Sequence, residues 1–201
     1  MDGRGPGGRF AQAARLREYV DVLRLVKGAP GKPLHPPLTD ASIGAYTVGV
    51  AALIAGKAGL QTPEMAHTAL IAISFGLILA APTAITGLLD WLDLPKGTPP
   101  RTAATIHLFV MVGATVLFAL TWLAQREGYN DDEVRTLALV LAIAAGALLV
   151  TGGNIGGANV FVYGIRVLKR PDTPVAKALN PLGVSDAEPT ADPTTPPEAR
   201  T

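Results

Sequence analysis

The side chains equipped for metal, proton or electron chemistry sit mostly at the ends of long apolar stretches. His35 and Asp40 flank the start of the first stretch, and Asp90 and Asp93 the end of the second. His107 lies about two turns into the third, and Asn154 lies near the end of the fourth. Polar groups close to lipid are expensive, so each needs a reason to be there. Three readings are open. His35 and His107 are axial ligands of a haem b, since imidazole suits iron and helix bundles commonly hold cofactors in their cores. Alternatively the histidines and carboxylates bind a metal ion such as zinc. Otherwise they form a structural network in which the carboxylates cap helix ends and hold His107. Asp40 reads as the N-cap of the first helix. Asp90 and Asp93 fall at a helix C-terminus, where the dipole disfavours them, which points to partners such as Arg101, Lys96 or His107. His67 begins the second stretch at the other end and reads as solvated or capping.

Other chemistries are absent. The chain has no cysteine, which removes disulfides, thiolate zinc sites, cysteine-ligated clusters and a thiol nucleophile. Ser42, Ser74 and Ser185 lack a nucleophile elbow. Gly152-Gly153 follows an apolar helix and not a strand, so it is not a phosphate-binding loop. A net charge of +1 implies no attraction to nucleic acid.

The elements that position these residues are membrane spans. Charged residues make up 16% of the chain, against roughly 25% in soluble domains. A hydrocarbon core of ~30 Å needs roughly 20 apolar residues in a helix. Four stretches qualify, at about residues 41–60, 65–91, 102–125 and 134–165. Short connections make neighbours antiparallel, giving an all-α, integral membrane, four-helix up-down-up-down bundle over residues 38–168. Residues 1–37 form an N-terminal segment with an amphipathic helix at about residues 10–27, and its end at Gly28–Pro37 reads as a Gly/Pro-punctuated linker. Residues 169–201 are Pro-, Thr- and acid-rich and expected to be disordered. Lys96, Arg101, Arg166, Lys169, Arg170 and the basic N-terminal segment lie on one side, and only Lys57, Arg126 and Arg135 on the other. The positive-inside rule then puts both termini in the cytoplasm, with the polar residues above in one cytoplasmic-side layer. Gly152, Gly153, Gly156 and Gly157 form two small-xxx-small pairs on adjacent faces of the fourth helix, suited to tight packing inside the monomer, to a dimer interface or to a cofactor slot.

The sequence Leu34-His35-Pro36-Pro37-Leu38-Thr39-Asp40 followed by Ile43-Gly44 resembles the opening motif of bacterial membrane proteins of the "domain of unknown function 2231" family. Thr86-Gly87-Leu88-Leu89-Asp90-Trp91-Leu92-Asp93 is similar to that family's second-helix signature, His107 to its third-helix histidine, and Gly156-Gly157 through Gly164 to its closing segment. The resemblance covers about residues 31–168 and implies a four-helix membrane domain; the expected location is the bacterial plasma membrane. Some members are linked to Rieske-type domains, which implies a redox setting. This chain departs from the pattern at Lys32, where a histidine is common, at Ser42, where a proline is common, and at Phe161-Val162-Tyr163 before Gly164. The expected role is a non-enzymatic accessory or scaffold subunit of a membrane assembly, with the bilayer and either complex subunits or further copies as partners. The rival is a haem-binding electron carrier using His35 and His107.

Overall fold

Prolines set the beginnings of the helices. The computed structural model describes residues 26–29 and 31–180. Helix α1 spans His35–Lys57 with Pro36 and Pro37 in its first turn, where a missing N–H leaves no hydrogen bond unmade. The helix therefore begins at His35 and not at Ala41, and Asp40 is an exposed residue within it, not its cap. Leu34 occupies the cap position. Helix α2 spans Thr62–Leu92 and carries Pro82 inside it. Helix α3 spans Pro99–Asn130, with Thr98 Oγ1 accepting from the Arg101 N–H. Helix α4 spans Thr136–Phe161. It stops short of residue 165, and Gly164 turns the chain with φ of 66°.

The segment read as an irregular linker contains an antiparallel hairpin, β1 at Gly28–Ala29 and β2 at Lys32–Pro33. Gly28 has φ of 81°, and a Cβ there would stand 2.7 Å from the Leu34 nitrogen. Val26 and Lys27 are helical. The rest of the amphipathic helix expected at residues 10–27 lies outside the described residues, as does the tail beyond residue 180. Within the described part of the tail, α5 is a single turn at Val175–Ala178.

All four long helices are apolar enough to cross a membrane, and their outward faces carry Ile71, Phe75, Ile78, Phe109, Val140 and Val150. Helix α1 packs chiefly on α2 and α3 on α4, while α2–α3 and α1–α4 contacts close the ring. The bundle is thus two hairpins face to face, with α1 and α3 on one diagonal. Lipid removes most of the hydrophobic drive between spans, so small residues and van der Waals fit hold them together. Gly49 receives Ile73, and Gly76 receives the Tyr46 ring. At the centre Tyr46 of α1 stacks on Phe118 of α3 across the diagonal, with ring centroids 3.9 Å apart.

At the end holding the α3–α4 turn, Gln125 is fully buried. Its Nε2 donates to Glu133 O at 2.9 Å and its Oε1 accepts from Arg135 N at 3.1 Å. Gln125→Leu leaves both backbone groups unpaired and is expected to destabilise the bundle by about 1–3 kcal/mol. Thermal unfolding in detergent checks this, and an unchanged midpoint would contradict it.

Candidate functional site: a two-histidine cavity between the hairpins

Beyond the Tyr46–Phe118 stack the hairpins separate around a mostly apolar cavity of about 410 Å³, within the range of small-molecule and cofactor sites. Its wall draws on all four long helices, on Pro33 of the β-hairpin and on Ile165 and Arg166 after α4. It lies at the bundle end from which both terminal segments leave.

His35 and His107 stand in this wall on the diagonal pair of helices. His35 Nδ1 is 3.0 Å from Thr83 O, with Thr86 Oγ1 at 3.3 Å. His107 Nδ1 is 2.9 Å from Gly152 O. A carbonyl oxygen can only accept, so each Nδ1 carries a proton, and in the neutral ring Nε2 then keeps its lone pair. Neither Nε2 has a hydrogen-bond partner among the described residues. This is the tautomer that binds metals, with the other ring nitrogen fixing the orientation.

Both rings also lie against a bare glycine. A Cβ on Gly87 would stand 2.6 Å from His35 Cε1, and one on Gly156 would stand 2.9 Å from His107 Cε1. The two hairpins thus repeat one device. A histidine on the first helix donates to a carbonyl of the second, and packs on the glycine four residues after that carbonyl: Thr83 and Gly87 in one, Gly152 and Gly156 in the other.

Asp90 is buried in the cavity wall, its Oδ1 3.3 Å from Arg166 Nε. Arg166 adopts φ of 62° and donates through Nη2 to Lys27 O at 2.9 Å and Gly28 O at 3.4 Å. Asp93, largely exposed, pairs with Lys27. The carboxylates therefore meet Arg166 and Lys27, not Arg101, Lys96 or His107. Arg101 instead stacks 3.5 Å over the Trp91 ring and donates to Trp91 O and Leu94 O, at and just beyond the end of α2. At the opposite end of the bundle His67 joins Asp132 and Tyr129 O.

The six polar residues grouped in one layer from the sequence do not all reach the cavity. His35, His107 and Asp90 do, Asp93 stays at the surface beside them, and Asp40 and Asn154 are exposed. Asn154 Nδ2 donates back to Val150 O of its own helix. Of the four glycines, Gly152 and Gly156 face inward against Met111 and His107, while Gly153 and Gly157 have open space beside them. The sequence reading missed Asn159, which is 8% exposed, lines the cavity and leaves Oδ1 without a partner. It also treated Arg166 only as a topology signal. Among the described residues no group of three or more His, Asp or Glu is placed to hold a metal ion.

A family model described as "Predicted membrane protein (DUF2231)" matches residues 31–169. No curated protein and no solved structure matches the chain. The matched stretch contains β2, all four spans, both cavity histidines and Arg166, and by that match the chain belongs to the DUF2231 family of predicted membrane proteins.

Proposed function

We propose that this protein is a membrane-embedded b-type haem protein that carries single electrons, with His35 and His107 as its axial ligands. The observation that carries the reading is the duplicated histidine device. Two imidazoles on diagonal helices, each held through Nδ1, leave two Nε2 atoms without a protein partner at one cavity. Haem iron needs only two axial ligands from protein, whereas zinc takes three or four. Held by His35 and His107, a haem would have no protein-free position for oxygen and would supply one-electron transfer. A purely structural role for the histidines explains the Nδ1 bonds. Close packing, as at Gly49 and Gly76, also allows a bare glycine under each ring, but a structural role gives no use to the two Nε2 atoms left without a partner at one cavity.

This reading keeps the expectation of a subunit in a larger membrane redox assembly or a homo-oligomer. We place the histidine end at the cytoplasmic face of a bacterial plasma membrane, on the strength of the Lys and Arg distribution. Full-length protein expressed with haem supply and purified in mild detergent is expected to retain about one haem per chain, assayed as the pyridine haemochrome, as one pair of ligands requires. Haem-free protein that also fails to bind added haemin would remove the proposal.

A further inference from the structure

Haem b is lopsided, with an apolar ring carrying two carboxylates on one edge, and the cavity is lopsided in the same sense. Tyr46, Leu77, Met111, Val112 and Val116 line its deep part. Its charged groups, Asp90 and Arg166, stand with Asn159 at the end nearest the β-hairpin, whereas the polar atoms of the deep part are the neutral hydroxyls of Tyr46, Ser42 and Thr115. Ile165 N–H donates to Asn159 O at 3.0 Å, which folds the chain back over the last turn of α4 and brings Arg166 to that end. Arg166 is the one Lys or Arg in the cavity wall among the described residues.

The hydrogen-bonding capacity of these groups is only partly used. Arg166 engages Asp90 through Nε and two carbonyls through Nη2, and Nη1 has no hydrogen-bond partner among the described residues. Asn159 is more than nine-tenths buried with Oδ1 unpartnered. Leaving a buried amide unpaired costs about 1–3 kcal/mol, and a half-turn of the carboxamide presents its NH₂ to an acceptor instead. Asp90, itself in the cavity wall, holds the guanidinium through Nε and leaves Nη1 unoccupied.

We infer that Arg166 and Asn159 form a carboxylate-recognition site that seats the haem propionates at this end of the cavity. The inference rests on the haem reading above and deepens it by fixing the direction in which the ring enters. Because Arg166 also holds the backbone at Lys27 and Gly28, a carboxylate on Nη1 ties ligand binding to the β-hairpin that abuts the cavity.

The test compares haemin with haemin dimethyl ester, which keeps the iron and ring but loses both charges. Titrations use the full-length apoprotein and Arg166→Gln in detergent. Haemin is expected to bind the unaltered protein at least about tenfold more tightly than the ester, the effect of losing a hydrogen bond to a charged group. Arg166→Gln is expected to erase that difference by weakening haemin alone, with Asn159→Leu giving a smaller change in the same direction. Because the ester reports on the same variant, a general loss of folding shows as weakening of both ligands. Equal binding of acid and ester by the unaltered protein would overturn this inference and leave the haem reading standing, and so would a variant that weakens both equally. Binding of neither would remove both.

Discussion

His107→Gly is expected to lower haem affinity by more than about 100-fold, because altering a group that merely orients a ligand already costs 10–100-fold in metal affinity. The residual iron would be five-coordinate, held by His35 alone. The variant leaves a slot against Gly156 shaped for one imidazole ring, so added imidazole is expected to restore six-coordinate binding. A structural histidine gives a different outcome. Its removal would lower the unfolding temperature of the apoprotein, and imidazole would not restore a six-coordinate haem spectrum. His35→Gly tests the other side in the same way, although His35 is the first residue of α1 and its loss also frees the start of the helix.

Gly156→Ala and Gly153→Ala are expected to act in opposite senses although the positions are three residues apart. Alanine favours an α-helix by about 0.8–1.0 kcal/mol over glycine. At Gly153 a Cβ meets nothing within 4 Å, so the propensity gain stands and the protein is stabilised or unchanged. At Gly156 the Cβ would be 2.9 Å from His107 Cε1 and 3.3 Å from its Nδ1, inside the ~3.5–4.0 Å of carbon–carbon contact. The ring must move, which strains its bond to Gly152 O and misdirects Nε2. Haem content is expected to fall by about tenfold or more, in line with loss of a ligand-orienting contact, while the apoprotein remains folded. Gly87→Ala presses harder still, at 2.6 Å from His35 Cε1. Haem per chain and apoprotein unfolding temperature, measured on all three variants, separate these cases. Full haem loading in Gly156→Ala and Gly87→Ala would show that the glycines do not shape the ligand site.

The four spans were legible because a bilayer demands one long apolar run per helix, a coarse signal that survives without any knowledge of packing. The start of α1 was not, because Pro36 and Pro37 read as punctuation when they in fact occupy the first turn of a helix, where a missing N–H costs nothing. That difference matters to the site, since it moves His35 from a linker onto a helix. The histidine pair was legible from topology alone. Its supporting residues were not, because they depend on which face of α4 turns inward. That helix is apolar all round, so no periodicity marks a face. Asn154 and Asn159 are about 140° apart on a helix of 3.6 residues per turn, and nothing in the sequence says that the second points in and the first out. The same ambiguity hid the split between Gly152 with Gly156 and Gly153 with Gly157. Arg166 was hidden for another reason. Its approach to Asp90 depends on the left-handed backbone at residue 166 and the turn at Gly164, neither of which a hydropathy pattern encodes.

The central claim is that two imidazoles ligate one iron between the hairpins. Low-temperature electron paramagnetic resonance of the oxidised, haem-loaded protein tests it most directly, because the signal reports the axial ligands and not merely the presence of haem. The expected result is a low-spin ferric spectrum of the bis-imidazole type, converted to high spin in His107→Gly and recovered on adding imidazole. A high-spin signal from the unaltered protein, or a low-spin signal that persists when both His35 and His107 are replaced, would contradict it.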